Sequence, residues 1–369
     1  METCSLPSVS ATSSRSKQKR AGRRRPTFST GSSALLPTAS AAWRVATFIL
    51  GHSNTPDSCE KYGILSHWRT KLPRAVAIHN VVKMHAQPDG DSEQVSQMLL
   101  GHTLLLLSPP DSGQNWVNVQ TDDGYTGWVR AKQICLLDDS EEYPAPGQVY
   151  RVNALWAFVR EKPDYNAPHL TIAPMGAWLE GNEWYEDWLR VVLPDGRTGW
   201  MAAQDVTPQW VAISRAGSLR VEGTVILQGK NVEPYRVPRM GWQNALVYTA
   251  RRLLGVPYLW GGSSPFGLDC SGFVQLVYRM CGLVLPRDAD LQADFARTTA
   301  VDISETQPGD LIFFAGGSDP HQRTVTHVGM VIDAEHFIHS SGGVGVHITR
   351  IDDPFYKSIL WGIRRVLDQ

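Results

Sequence analysis

Nowhere does this 369-residue chain approach the ~18 consecutive apolar residues that a membrane-crossing helix needs. Its longest apolar stretches, Val45 to Gly51 and Leu104 to Leu107, are far too short. Cysteine pairing is also missing. The five cysteines (Cys4, Cys59, Cys135, Cys270, Cys281) contain no CxxC and form no even set. A disulfide scaffold is therefore disfavoured, and one thiol stays free even if the others pair. Neither sign of charge dominates: 35 basic residues face 36 acidic ones, a net charge of -1. That balance hides an asymmetry, because residues 1–56 hold eight of the basic residues and one acid, Glu2. The remaining body is acidic, which argues against nucleic acid as a partner and suits a substrate bearing a positive group.

At 42% hydrophobic and 19% charged, the chain reads as globular and long enough for two or three domains. Residues 1–70 are rich in Ser, Thr and Arg and show no periodicity. They read first as a disordered basic tail or an upstream extension. A weak export signal (Arg23-Arg24-Arg25, then Phe28 to Ala39) and an organellar transit peptide are the competing readings.

From about residue 75, short apolar alternations are broken by Pro, Gly and Asp, and two blocks repeat. Gln87-Pro88-Asp89, Leu100-Gly101, Trp116-Val117-Asn118-Val119 and Gly124-Tyr125-Thr126-Gly127-Trp128-Val129 make the first. Lys162-Pro163-Asp164, Met175-Gly176, Trp188-Leu189-Arg190-Val191 and Gly196-Arg197-Thr198-Gly199-Trp200-Met201 make the second. Several short strands per unit of about 60 residues predict two small all-β barrels. The spans are 75–138 and 149–208, with a connector over 209–241. The pattern resembles bacterial SH3 (SH3b) domains. Tyr125 stands where the second block has Arg197, so only the first copy offers a flat apolar surface with a hydroxyl beside the turn.

Residues 242–369 change texture. Leu246, Val247, Ala250, Leu253 and Leu254 recur at helical spacing. Tyr258-Leu259-Trp260-Gly261-Gly262 then leads to Leu268-Asp269-Cys270-Ser271-Gly272-Phe273. After Cys270, Phe273, Val274, Val277 and Met280 share one helical face. A thiol in the first helical turn sits at the positive end of the macrodipole, which favours the nucleophilic thiolate. On the helix alone, a reactive cysteine and a buried structural one are equally open.

A thiol nucleophile needs a base. His327 opens an apolar strand, and His339 lies on the next one, where a short hairpin would bring it beside His327 as an orienting group; the other reading of either histidine is a structural hydrogen-bonding position. His336 competes for that place. Strand alternation puts His336 and His339 on opposite faces, so only one of them joins the site. Zinc held by Cys270, His327, His336 and His339 is the other use of such a set. No HxxxH or CxxC is present, and no metal or cofactor is expected. Helices first and an antiparallel sheet afterwards make this block α+β.

In order, the Tyr258–Phe273 stretch, Pro308-Gly309-Asp310-Leu311, His327-Val328-Gly329-Met330-Val331 and Ile338-His339-Ser340 resemble the motif series of the NlpC/P60 cysteine peptidases. The resemblance implies a papain-like α+β core that cleaves bacterial cell-wall peptides. It implies Cys270 as nucleophile, His327 as base and His339 as orienter, with Tyr258 shaping the site. Two SH3b domains ahead of such a core resemble γ-D-glutamyl-L-diamino acid endopeptidases that take peptides with a free N-terminal L-alanine. Tyr125 would then close the cleft, Asp269 would pair with the substrate's ammonium and Ser271 would bind its backbone, with Glu93 a candidate acidic helper. The implied partner is a peptidoglycan-derived peptide, and bacterial cytoplasm is favoured over the envelope. Two rivals stay open: a wall-binding SH3b protein with an inactive core, and an amidase or acyltransferase on another substrate.

Overall fold

The computed structural model describes residues 72–108, 115–138, 142–208, 211–213, 219–221, 226–227, 230–231, 241–316 and 324–367. The basic segment at 1–70 and most of the expected connector lie outside the described residues. All those described belong to one compact unit, Ser58–Gln369.

Two β modules of matching design come first. Strands β1 to β7 run Arg74–Ala77, Val81–His85, Gln94–Leu99, Thr103–Leu106, Trp116–Gln120, Thr126–Arg130 and Ile134–Leu137. Strands β8 to β14 run Val149–Val152, Trp156–Arg160, His169–Pro174, Trp178–Tyr185, Trp188–Val192, Thr198–Ala202 and Val206–Pro208. The sheet orders are β3-β2-β6-β5-β4-β1-β7 and β10-β9-β13-β12-β11-β8-β14, identical position for position. Alternation builds both cores: Val117, Val119 and Val129 point inward in the first, Leu189, Val191 and Met201 in the second.

The layout is the expected pair of small all-β modules, although neither sheet closes on itself. Each module is an open sheet, because its first and last strands in sheet order do not pair. The β2–β6 and β9–β13 ladders each hold through a single residue pair, His85 with Trp128 and Arg160 with Trp200. In the first module the edge strand β3 docks on the following unit instead of closing the sheet. The Gln97 carbonyl accepts from Ser263 Oγ at 3.0 Å, and Gln97 Oε1 accepts from the Ser263 N–H at 3.0 Å. Covering an edge this way removes an exposed template for mispairing.

Short antiparallel pairs follow: β15 (Val211–Ile213) with β16 (Leu219–Val221), and β17 (Ile226–Leu227) with β18 (Lys230–Asn231). The α+β unit then begins with α1 (Trp242–Arg252), the small hairpin β19 (Ser263–Ser264) and β20 (Gly267–Leu268), α2 (Cys270–Met280) and α3 (Ala289–Ala293). Its sheet uses β21 (Thr298–Val301), β22 (Leu311–Gly316), β23 (Thr324–Val331), β24 (His336–Ser341) and β25 (Gly345–Arg350). Helix α4 (Pro354–Ser358) precedes β26 (Leu360–Val366), and the order is β21-β26-β22-β23-β24-β25.

Helix α2 is the centre of the unit. Phe273, Val274 and Val277 bury against Phe313, Val328 and Ile338 of the sheet, each contributing about 1.5–3 kcal/mol. The opposite sheet face packs Ile312, Phe314, Val331, Phe337 and Ile363 as a second core. Strand β22 is therefore apolar on both faces.

Two glycines record how tightly the modules meet. Gly101 has φ +81°, and a Cβ there would lie 1.7 Å from the Trp178 carbonyl oxygen of the second module. Gly261 has φ +69°, and its Cβ would lie 2.2 Å from the Gln94 carbonyl oxygen of β3. Only a residue without a side chain allows either approach.

Candidate active site

Asp269 is the N-cap of α2, its Oδ1 accepting from the Gly272 N–H at 2.7 Å. This cap starts the helix and delivers Cys270 as its first residue. Burial pushes the Cys270 thiol up to about 11, and the Asp269 charge adds to the rise. Hydrogen bonds from the Val328 and Ser271 N–H groups and the charge of Arg287 work the other way. The Val328 contact places the sulfur beside the strand position that follows His327.

His327 reaches the site through a β-bulge. Phe314 pairs with His327 while Ala315 pairs with Val325, so Thr326 is an extra residue on β23. Bulges re-aim the side chains next to them. His327 Nε2 lies 2.8 Å from His339 Nδ1, and His339 Nε2 lies 3.0 Å from Thr349 Oγ1. His339 is fully buried. If His339 donates to Thr349, its Nδ1 accepts from His327 Nε2–H, which leaves His327 Nδ1 with a lone pair for the thiol proton. The relay thus runs Thr349, His339, His327. His336 turns away and bonds Asp333 Oδ1 at 2.8 Å. A third imidazole, His347, pairs across strands with His339 at a ring separation of 4.2 Å.

Burial holds His327 and His339 neutral. It lowers His327 to about 4, with His347 adding to the fall and Asp269 opposing it. It lowers His339 to about 2, with help from His327 and His347. The resting site is a thiol beside two neutral imidazoles, His327 and His339.

The same depression has a stability consequence. His102, bonded to the Gly176 carbonyl at 3.0 Å, is also lowered to about 4, chiefly by burial. Below the unfolded-state value of about 6.5 the unfolded chain takes up protons that these folded histidines refuse, so folding stability is full above that pH and is lost toward pH 4. Each histidine should cost roughly 1–2 kcal/mol between pH 6.5 and 5. Urea unfolding at the two pH values measures this, and His102→Gln should shrink the difference; a pH-independent midpoint would contradict it.

Tyr258, Tyr125, Asp288 and Ser271 form a network with Asp269 and Arg287 next to the nucleophile's helix. Tyr258 feels the Cys270 and Asp269 charges, and its hydroxyl rises to about 12, mainly through burial. Tyr125, in the β5–β6 turn, is raised to about 12 by burial and then by Asp288, to which its hydroxyl donates. Asp288 is the N-cap position of α3 but makes no cap hydrogen bond there. Ser271 Oγ and both Asp269 oxygens are taken by Arg287, at 2.9, 3.1 and 2.5 Å.

Arg287 was not singled out from sequence. It is 2% exposed, and its Nε also reaches Ser96 Oγ of β3 at 3.1 Å. Burial opposes its charge, but Asp269 more than offsets this and raises its pKa. The signal available was an Arg-Asp pair after Leu285-Pro286, which nothing local marks as buried. Glu93 accepts from Trp260 Nε1 at 2.6 Å and so borders the Tyr258 loop.

The NlpC/P60 family profile matches residues 255–365, which span Cys270, His327 and His339. Residues 255–365 are an NlpC/P60 domain. The profile described as "Bacterial dipeptidyl-peptidase Sh3 domain" matches residues 84–134, so a bacterial SH3 domain precedes it. A "Gamma-D-glutamyl-L-lysine dipeptidyl-peptidase" of Bacillus cereus is 29% identical over 291 residues, covering 74% of this chain and 75% of that protein. The Escherichia coli K12 "Murein DD-endopeptidase MepS/Murein LD-carboxypeptidase" is 40% identical over 116 residues, 31% of this chain and 58% of that protein. Among solved structures, an NlpC/P60 family protein from Bacillus cereus aligns with a TM-score of 0.64 at 24% identity. The alignment covers 80% of this chain and all of that one, a likeness in fold.

Proposed function

We propose that this chain is a cysteine endopeptidase that hydrolyses the γ-D-glutamyl–diamino acid bond of cell-wall peptides with a free N-terminal L-alanine. The observation that carries the chemistry is the hydrogen-bonded His327–His339 pair next to the strand position whose N–H bonds the Cys270 sulfur. Cys270 attacks the carbonyl as His327 takes its proton. The positive end of α2 stabilises the oxyanion. His327 then protonates the leaving amine, and water releases the acyl group from sulfur by the reverse relay. The bond assignment draws on the dipeptidyl-peptidase name of the Bacillus cereus relative.

The preference for a free amine rests on charge. Asp269 and Asp288 flank a single cation, Arg287, leaving one excess negative charge where Tyr125 closes the space. A substrate ammonium neutralises that excess, whereas an acetylated nitrogen leaves it buried and unbalanced. Asp269 would thus act as half of an ion pair, not as a bare carboxylate. L-Ala-γ-D-Glu-diaminopimelate should be cleaved with kcat/KM about 100-fold above its N-acetylated form, a difference of nearly 3 kcal/mol. Equal cleavage of the two peptides would remove Asp269 and Tyr125 from recognition.

A further inference from the structure

Helix α2 carries more than the nucleophile. Gln275 and Arg279, one turn apart, both face the β5–β6 turn of the first module. Gln275 is 5% exposed and donates through Nε2 to Asp123 Oδ2 at 2.7 Å and to the Leu285 carbonyl at 2.9 Å. The other Asp123 oxygen organises the turn, accepting from Thr121 Oγ1 at 2.5 Å and the Tyr125 N–H at 3.2 Å. Arg279 grips Asp122 with both terminal nitrogens, one of them 3.0 Å from Oδ1. Its own carbonyl accepts from Arg151 of the second module at 2.8 Å.

These contacts close a ring. Asp269 caps α2 and holds Arg287, the next residue Asp288 takes the Tyr125 hydroxyl, and the Tyr125 N–H rests on Asp123, which returns to α2 through Gln275. The reacting sulfur and the tyrosine at the cleft end are thus tied to one rigid helix at both ends.

We infer that Gln275 and Arg279 are positioning residues for substrate selection, setting how far Tyr125 stands from Cys270 and so how much can precede the scissile glutamyl unit. This rests on the proposed free-amine reading of the same site. Bonds that served only to dock the modules could be satisfied anywhere along α2. These two instead grip Asp122 and Asp123, the consecutive residues just ahead of Gly124 and Tyr125, and Asp123 accepts from the Tyr125 N–H directly. The distance is therefore a property of the helix and not of Tyr125 alone.

The test uses the full chain with Asp123→Asn, Asp122→Asn and the charge exchange Asp122→Arg with Arg279→Asp. Asp122 is half-exposed, so its variant should fold normally. In Asp123→Asn, either the new amide faces the Gln275 amide, donor to donor, or the Tyr125 N–H loses its acceptor. Steady-state kinetics on the free and N-acetylated tripeptides should show KM for the free peptide rising about 10-fold with kcat within about three-fold of wild type, and selectivity falling by the same factor. The charge exchange should restore most of the selectivity lost in Asp122→Asn. Wild-type protein without selectivity would overturn the free-amine reading itself. Wild-type selectivity that survives unchanged in both Asn variants, or an equal loss of kcat on both peptides, would overturn the positioning role alone.

Discussion

Replacing Cys270 with alanine should lower peptide hydrolysis by about 10⁴-fold or more, because no other group at the site can form the acyl intermediate. The fold should survive. Alanine is the best helix former, the Asp269 cap to Gly272 is untouched, and the lost sulfur accepts hydrogen bonds only weakly. Thermal unfolding should stay within about 1 kcal/mol of wild type. Among the described residues, Cys281 is buried against Thr249 and Cys135 is exposed on β7 of the first module. Iodoacetamide should therefore inactivate Cys135→Ser as fully as wild type. Residual turnover near the wild-type rate in Cys270→Ala would sink the nucleophile assignment.

Arg287→Met should produce the largest loss of stability, about 3–5 kcal/mol. The guanidinium binds both Asp269 oxygens, Ser271 Oγ and Ser96 Oγ from a position 2% exposed. Methionine fills much of the volume but strands the Asp269 carboxylate in a site 8% exposed, and it releases Ser96 of the first module. Lysine should rescue poorly, since a point charge cannot reproduce a bidentate fork. Adding Asp269→Asn to Arg287→Met should recover part of the loss by removing the stranded charge. Urea midpoints of wild type, Arg287→Met, Asp269→Asn and the double variant form the cycle. A single variant as stable as wild type would mean that the pair contributes nothing to holding the modules together.

The repeat of G-x-T-G-W at Gly127 and Gly199 was enough to expose two copies of one β unit, since each landmark recurs in order along a short stretch. Closure was not legible. Both sheets stay open, and at the β3 edge of the first the neighbour is Ser263, more than 160 residues away, held through Gln97. The helix after Cys270 was readable from its own periodicity, and the alternation that separates His336 from His339 from the strand period alone. His336 indeed bonds outward to Asp333, while His339 lies buried against His327. The bulge at Thr326 that aims His327 has no local signature, and neither does the burial of Arg287.

What the sequence determined by itself is therefore what neighbours in the chain decide: a capped helix opening on a thiol, two histidines on adjacent strands, and a duplicated β unit with one distinctive tyrosine. Only the tertiary structure decided which charges neutralise one another. Arg287 follows Asp269 by eighteen residues and lies far from Ser96, yet it binds both. Asp122 and Asp123 meet α2 across more than 150 residues. The Arg287–Asp269 pair forms because burying one charge requires another at hydrogen-bond distance, and packing supplies that distance where chain order does not.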